Sequence, residues 1–260
     1  MTYIYAIANQ KGGVGKTTTA VNLGVYVASM GKRVLLIDMD AQANASSSLG
    51  IDKEKVPTSS YDILLGNATA AKATLKNNKL NLNIIPSAPA LAAAEVELVG
   101  ELAREYRLHE ALKAETEKYD YILIDCPPSL GLLTVNALTA AGGVLIPVQC
   151  EYLALEGLSQ LSRIVQLVRQ RLNPQLDIVG LILTMYDTRT ALSHQVATEV
   201  EKFFGPRVFS TRVPRNVRLS EAPSYGQPIL TYAPTSPGGT AYKALAEELV
   251  ARNEGISTHA

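Results

Sequence analysis

Residues 11–18 read Lys-Gly-Gly-Val-Gly-Lys-Thr-Thr, between the apolar run Tyr3–Ala8 and a helical pattern over Lys16–Ser29. A glycine-rich turn leaving a strand and opening a helix is the context of a phosphate-binding loop. Its glycines let backbone N–H groups turn inward on an anion. The helix that follows adds the positive end of its dipole and its unpaired N–H groups. In such a loop Gly12, Gly13, Val14, Gly15 and Thr18 surround the phosphates, Lys16 reaches the β- and γ-phosphates, and the Thr17 hydroxyl holds Mg²⁺. ATP and Mg²⁺ are therefore the expected cofactors.

The rest of the chain repeats the same strand-to-helix rhythm. Arg33–Asp38, Leu80–Ile85, Asp120–Asp125, Gly143–Val148 and Asp177–Thr184 are apolar runs that do not alternate with polar residues. Such strands are buried on both faces, which is the signature of a parallel sheet. The helix after the Gly143 strand carries Leu158, Leu161, Val165, Val168 and Leu172, one apolar stripe that packs on a sheet. A Pro- and Gly-rich loop over Pro223–Gly239 and a last helix near Tyr242–Arg252 complete the pattern. The expected fold class is α/β: one doubly wound, mostly parallel sheet flanked by helices, as a single domain over residues 1–260 with a polar tail from about 253.

Composition narrows the function. Net charge is zero, so contact with nucleic acid requires a local patch. Two cysteines in 260 residues exclude a disulfide scaffold and suit a reducing, cytoplasmic setting. The longest apolar runs, such as Val34–Ile37 and Val144–Val148, are strand-length, and no membrane contact is expected.

Two acidic strand ends accompany the loop. Arg33–Asp38 runs into Asp-Met-Asp-Ala-Gln-Ala-Asn (38–44), and Tyr119–Gly131 reads Tyr-Asp-Tyr-Ile-Leu-Ile-Asp-Cys-Pro-Pro-Ser-Leu-Gly. Four apolar residues ending in Asp125 form the Walker B pattern, whose carboxylate binds Mg²⁺ through water.

One departure is informative. Gln10 stands where the ordinary loop has its first glycine, and Lys11 follows it. This two-lysine form resembles the deviant Walker A ATPases, the group that includes ParA, MinD and the nitrogenase iron protein. The segments Val213–Ile229, Gln149–Leu161 and Leu132–Ala140 further resemble ParA/Soj-type chromosome-partitioning ATPases, and the likeness extends from Ile4 to about Leu249.

The resemblance implies that Lys11 crosses a dimer interface to touch the partner's nucleotide, giving an ATP-sandwich homodimer. It implies that Asp40 orients the attacking water and that Asp38 helps hold the Mg²⁺ shell, so Lys11, Lys16 and Asp40 carry catalysis. Ala41 stands where family members often have proline. The Pro214–Asn216 turn lies against adenine, with Asn216 supplying amide hydrogen bonds and Met185 packing on the base.

Between Met185 and Ser220 six basic residues face three acidic ones, and the resemblance makes Arg189 and Arg218 contacts to non-specific double-stranded DNA. A ParB-type partner is implied as the trigger of hydrolysis, with localisation on the nucleoid. A MinD-like membrane or cargo-positioning role is less well served. The tail Thr240–Ala260 carries two basic residues against three acidic ones, not a basic amphipathic helix. A Soj-type regulator of replication initiation is the third reading. Ten residues before Lys11 leave no expectation of an N-terminal helix-turn-helix. The cysteines at 126 and 150 lack the spacing of an iron–sulfur protein and read as small buried hydrophobes.

Overall fold

Consecutive residues of the central strands bury opposite faces. Ala6, Leu35, Ile37, Ile122 and Ile124 enter one core layer, while Tyr5, Ile7, Leu36, Tyr121 and Leu123 enter the other. This explains the unbroken apolar runs, because each strand is covered on both sides. The computed structural model describes residues 1–151 and 154–255. Tyr152, Leu153 and the tail residues 256–260 lie outside the described residues.

In chain order the elements are β1 (Tyr3–Ile7), α1 (Lys16–Ser29), β2 (Val34–Asp38), α2 (Asn44–Ser48), α3 (Ser60–Leu65), α4 (Ala70–Ala73), β3 (Leu75–Asn77), β4 (Leu82–Ile85), α5 (Leu91–Glu97), α6 (Arg107–Leu112), β5 (Tyr121–Asp125), α7 (Leu132–Ala140), β6 (Gly143–Gln149), α8 (Ala154–Arg171), β7 (Asp177–Thr184), α9 (Ala191–Phe204), α10 (Val217–Glu221), α11 (Ile229–Tyr232) and α12 (Pro237–Asn253). The seven-stranded sheet runs β3-β4-β2-β5-β1-β6-β7 and is parallel except for β3, which pairs antiparallel with β4. Residues of α1, α2, α11 and α12 cover one face. Those of α3 through α9 cover the other.

Three expectations shift. The short antiparallel β3 was not foreseen, since Leu-Lys-Asn is too brief to carry a pattern. The strand expected from Leu80 starts at Leu82, because Asn81 adopts a positive φ of 51° and turns the chain into it. The Pro223–Gly239 loop is partly helical. It contains α11, and α12 begins at Pro237 rather than near Tyr242. Proline is tolerated at a helix start because its missing N–H would be unpaired there anyway, and the Ser236 hydroxyl caps the turn by accepting from Gly239 N at 3.1 Å. The α8 stripe packs as expected, with Leu158, Leu161, Val165 and Val168 buried in the core.

Helix α12 spans the depth of the molecule. Near its start Tyr242 is buried, with its hydroxyl 3.0 Å from the Thr19 hydroxyl of α1. At its end Asn253 accepts from the Tyr3 and Tyr5 hydroxyls through its main-chain and side-chain oxygens, at 2.8 and 2.7 Å, and donates to the Tyr121 hydroxyl at 3.1 Å.

Gly180 of β7 is tightly packed, since a Cβ there would collide with the ring of Phe209. Gly180→Ala is expected to destabilise the fold by about 1–3 kcal/mol through overpacking. Thermal denaturation checks this, and an unchanged midpoint would contradict it.

Candidate functional site

The phosphate loop leaves β1 at the C-terminal edge of the sheet, the edge where ligands bind in open α/β folds. Gly13 and Gly15 adopt φ values of +74° and +88°, the left-handed region that favours glycine. Gly15 is also the N-cap of α1 and offers no side chain to its free N–H groups, leaving them for an anion. Val14 is buried, and its carbonyl accepts from the Thr184 hydroxyl at 2.8 Å, which ties the loop to the end of β7. Asn9, also buried, donates to the Pro147 carbonyl at 2.7 Å and accepts from Lys11 N at 3.1 Å.

The two lysines occupy different environments. Lys16 is buried, with its ammonium donating to the Lys11 carbonyl at 3.0 Å. Burial lowers its pKa, and the charge of Asp125 opposes that shift. The Lys11 side chain turns outward, half-buried, with Nζ 3.6 Å from the Glu151 carboxylate.

Strand register brings the acids together, for Asp38 and Asp125 are direct neighbours across β2 and β5. Asp38 is fully buried and accepts from Ser46 N at 2.8 Å, the Ser46 hydroxyl at 2.7 Å and Asp40 N at 3.2 Å. Burial still pushes its pKa up to about 6. Both Asp125 oxygens are buried without a hydrogen-bond partner of good geometry. Burial and the Asp38 charge raise its pKa well above the carboxylate range, while the Thr17 hydroxyl and the Lys16 ammonium act in the opposite direction. A buried carboxylate with two orphaned oxygens beside a threonine hydroxyl fits a hydrated Mg²⁺, a hard cation that takes oxygen ligands. Asp40 stands just beyond β2, half-buried, one oxygen accepting from Gln42 N at 3.0 Å.

A cavity of about 280 Å³ opens beside the loop. Gly15, Thr18, Met185, Pro214, Asn216 and Tyr242 are among its walls. That volume lies at the small end of ligand pockets and suits one flat heterocycle. Met185 sits at a positive φ of 50°, a conformation unusual for a side-chain-bearing residue, at the turn out of β7. The Asn216 carbonyl oxygen accepts from Arg218 N at 3.1 Å as the cap of α10, which leaves its amide N–H₂ free of that bond.

A family model described as an AAA domain matches residues 2–178. The sporulation initiation inhibitor protein Soj of Bacillus subtilis is 57% identical over 248 residues, covering 95% of this chain and 98% of that protein. The chromosome partitioning protein ParA of Caulobacter vibrioides is 52% identical over 251 residues, covering 96% and 94%. The chain belongs to the ParA/Soj family of ATPases. Among solved structures, cobyrinic acid a,c-diamide synthase from Mycobacterium smegmatis with bound ATP analog and magnesium superposes with a TM-score of 0.86 at 37% identity, covering 98% of this chain and 96% of that one. Structures similar to this ParA/Soj chain thus bind ATP or ADP with magnesium.

Within this ParA/Soj fold the two arginines expected on DNA lie on separate elements and are paired inside the chain. Arg189 is 86% exposed and grips Asp187 at 2.8 Å, holding that carboxyl well below its usual range. Arg218 pairs with Glu221 at 2.8 Å. Arg212 and Arg215 are likewise paired, with Glu201 at 2.7 Å and Glu151 at 3.3 Å. The charge excess read along residues 185–220 is therefore largely offset by acids, Glu151 and Glu221 among them, that lie outside that window.

Sequence reasoning missed Asn9, Ser46, Thr184 and Glu151. No motif marks them, because each acts through a contact made only after folding. Cys126 and Cys150 are buried, and burial pushes both thiols up, Cys150 to about 11. No helix among the described residues is long and apolar enough to cross a membrane.

Proposed function

We propose that the chain, acting as one domain, is a DNA-partitioning ATPase with weak intrinsic turnover. Two copies sandwich ATP, the dimer binds DNA without sequence preference on the nucleoid, and a ParB-type partner accelerates hydrolysis and release. The observation that carries this reading is the division of labour between the lysines. Lys16 takes the buried place beside the acids, while Lys11 of the same loop is half-buried and held only by a surface ion pair with Glu151, which a nucleotide bound by another subunit can displace.

Thr17, Asp38 and Asp125 would hold Mg²⁺, which supplies charge neutralisation at the phosphates. Asp40 positions the water, and Lys11 from the partner stabilises charge on the transferred phosphoryl group, as an arginine finger does. A finger supplied only on dimerisation fits slow turnover by the chain alone. Met185, Pro214 and Asn216 receive the adenine.

Surface ion pairs are worth about 0–1 kcal/mol, so DNA phosphates can displace Asp187 and Glu221 from Arg189 and Arg218. Arg218→Glu is expected to lose DNA binding while keeping the ATP dimer, and unchanged affinity for random-sequence DNA would remove that residue from the contact. A Cβ on Gly12 meets nothing within 4 Å in the isolated chain. Gly12→Val is therefore expected to fold and bind nucleotide but fail to dimerise, because the added bulk meets only the other subunit. Normal ATP-dependent dimerisation of that variant would count against the sandwich.

The deciding experiment measures binding to random-sequence DNA with ATP, ADP and no nucleotide at two salt concentrations. Binding only with ATP, weakened by salt, supports the reading. Absence of binding in every state overturns it and favours a membrane or cargo-positioning role, with anionic liposomes as the next surface.

A further inference from the structure

Helix α5 is apolar on both sides. Leu91 and Ala94, with Leu98 just beyond the helix, enter the core. The opposite side shows Ala92, Ala93 and Val96, followed by Val99, Gly100 and Leu102. Val96 is 74%, Val99 64% and Leu102 91% exposed, a run of large apolar residues within one short segment. Large apolar side chains exposed together in one short segment mark an interaction site.

The exposed acids Glu97 and Glu101 do not redirect this surface toward a basic ligand, for both are engaged within the chain. Glu97 accepts from the Tyr61 hydroxyl at 2.9 Å, and Glu101 pairs with Arg107 at 2.7 Å.

We infer that this stripe is the apolar seat of a second copy of the same chain, an assignment that rests on the dimer reading above. The first reason is continuity. Glu95 of α5 abuts Gly131, the end of the loop that follows Asp125, and Pro128 and Ser129 of that loop are exposed. The stripe therefore extends the edge that carries the nucleotide site. The second reason is area. A stable interface buries about 800 Å² per partner around an apolar centre. The phosphate loop offers exposed Gln10, Gly12 and Gly13 and the half-buried Lys11, which is mostly polar backbone. Val96, Val99 and Leu102 supply the apolar surface that such a loop lacks. Small residues at 92, 93 and 100 allow close approach of the partner.

The test is the double variant V99D/L102D. Both side chains are exposed, so the monomer is expected to fold and to bind ATP as the unchanged chain does. Carboxylates buried without partners weaken association, and the dimer dissociation constant with ATP is expected to rise about 100-fold or more by light scattering. A variant that dimerises like the unchanged chain overturns the stripe and leaves the sandwich standing. An unchanged chain that stays monomeric with ATP overturns both.

A second readout needs no destabilising charge. Because Cys126 and Cys150 are buried, Leu102→Cys adds the reporting thiol. Its maleimide reaction is expected to slow with ATP at high protein concentration and not at low, as burial by a second copy requires. A rate indifferent to nucleotide and concentration overturns the assignment.

Discussion

Lys16→Ala is expected to abolish nucleotide binding at concentrations where the unchanged chain is saturated. Lys16 is the one buried ammonium of the loop, and it reaches its position from the first turn of α1. Its contact with the Lys11 carbonyl holds it over the place where the phosphates enter. Removing one partner of a buried charge pair costs about 3–5 kcal/mol, which corresponds to a roughly 150- to 4,000-fold loss of affinity. The neighbouring Asp125 makes the loss larger, because the Lys16 charge also offsets that buried carboxylate. Titration with a fluorescent ATP analogue measures the effect. Tight binding by a variant with native circular dichroism would show that Lys16 does not contact the phosphates.

Asp40→Ala is expected to bind ATP with little change and to hydrolyse it at least 100-fold more slowly, consistent with the usual contribution of a group that positions or accepts a proton. The variant should accumulate as an ATP dimer. Asp40 suits this test better than Asp38. Asp38 is fully buried and anchors the turn into α2 through Ser46, whose hydroxyl also accepts from Ser87 N at 3.0 Å. Asp38→Ala would disturb that packing along with any chemistry. The side-chain contact of Asp40 is confined to its own turn, with Gln42 N. Unchanged turnover, or a monomer with ATP present, would remove Asp40 from its proposed role.

Much of the fold and the centre of the site could be read before folding because both depend on local patterns. The loop required only glycines at 13 and 15 and the flanking strand and helix. Asp125 was found because four apolar residues precede it, and the register of β2 against β5 then brought Asp38 beside it. What escaped depends on distant partners. Thr184 is a strand residue like any other until β7 lies beside the loop, and its hydroxyl reaches Val14 across 170 positions. Asn9 is one polar residue at a strand end, and only the position of Pro147 gives it a function. The charge count over 185–220 erred for the same reason, since Glu151 arrives from the end of β6 to meet Arg215. The helical turns within 223–239 were hidden by prolines that stop a helix from its middle but start one at its end.

The span of α12 has a practical side. Gly238 packs so closely on Leu219 and Asn216 that a Cβ would come within 2.7 Å of the leucine, so the first turn of the helix braces the wall of the cavity beside the phosphate loop. Its last residue is tied to the starts of β1 and β5 at the opposite edge of the sheet. Seventeen residues at about 1.5 Å each put roughly 25 Å between those ends. A fluorescent protein joined beyond Gly255 therefore departs from the far side of the molecule. Live-cell imaging can follow where the protein travels with the label kept clear of the doorway through which nucleotide enters and leaves.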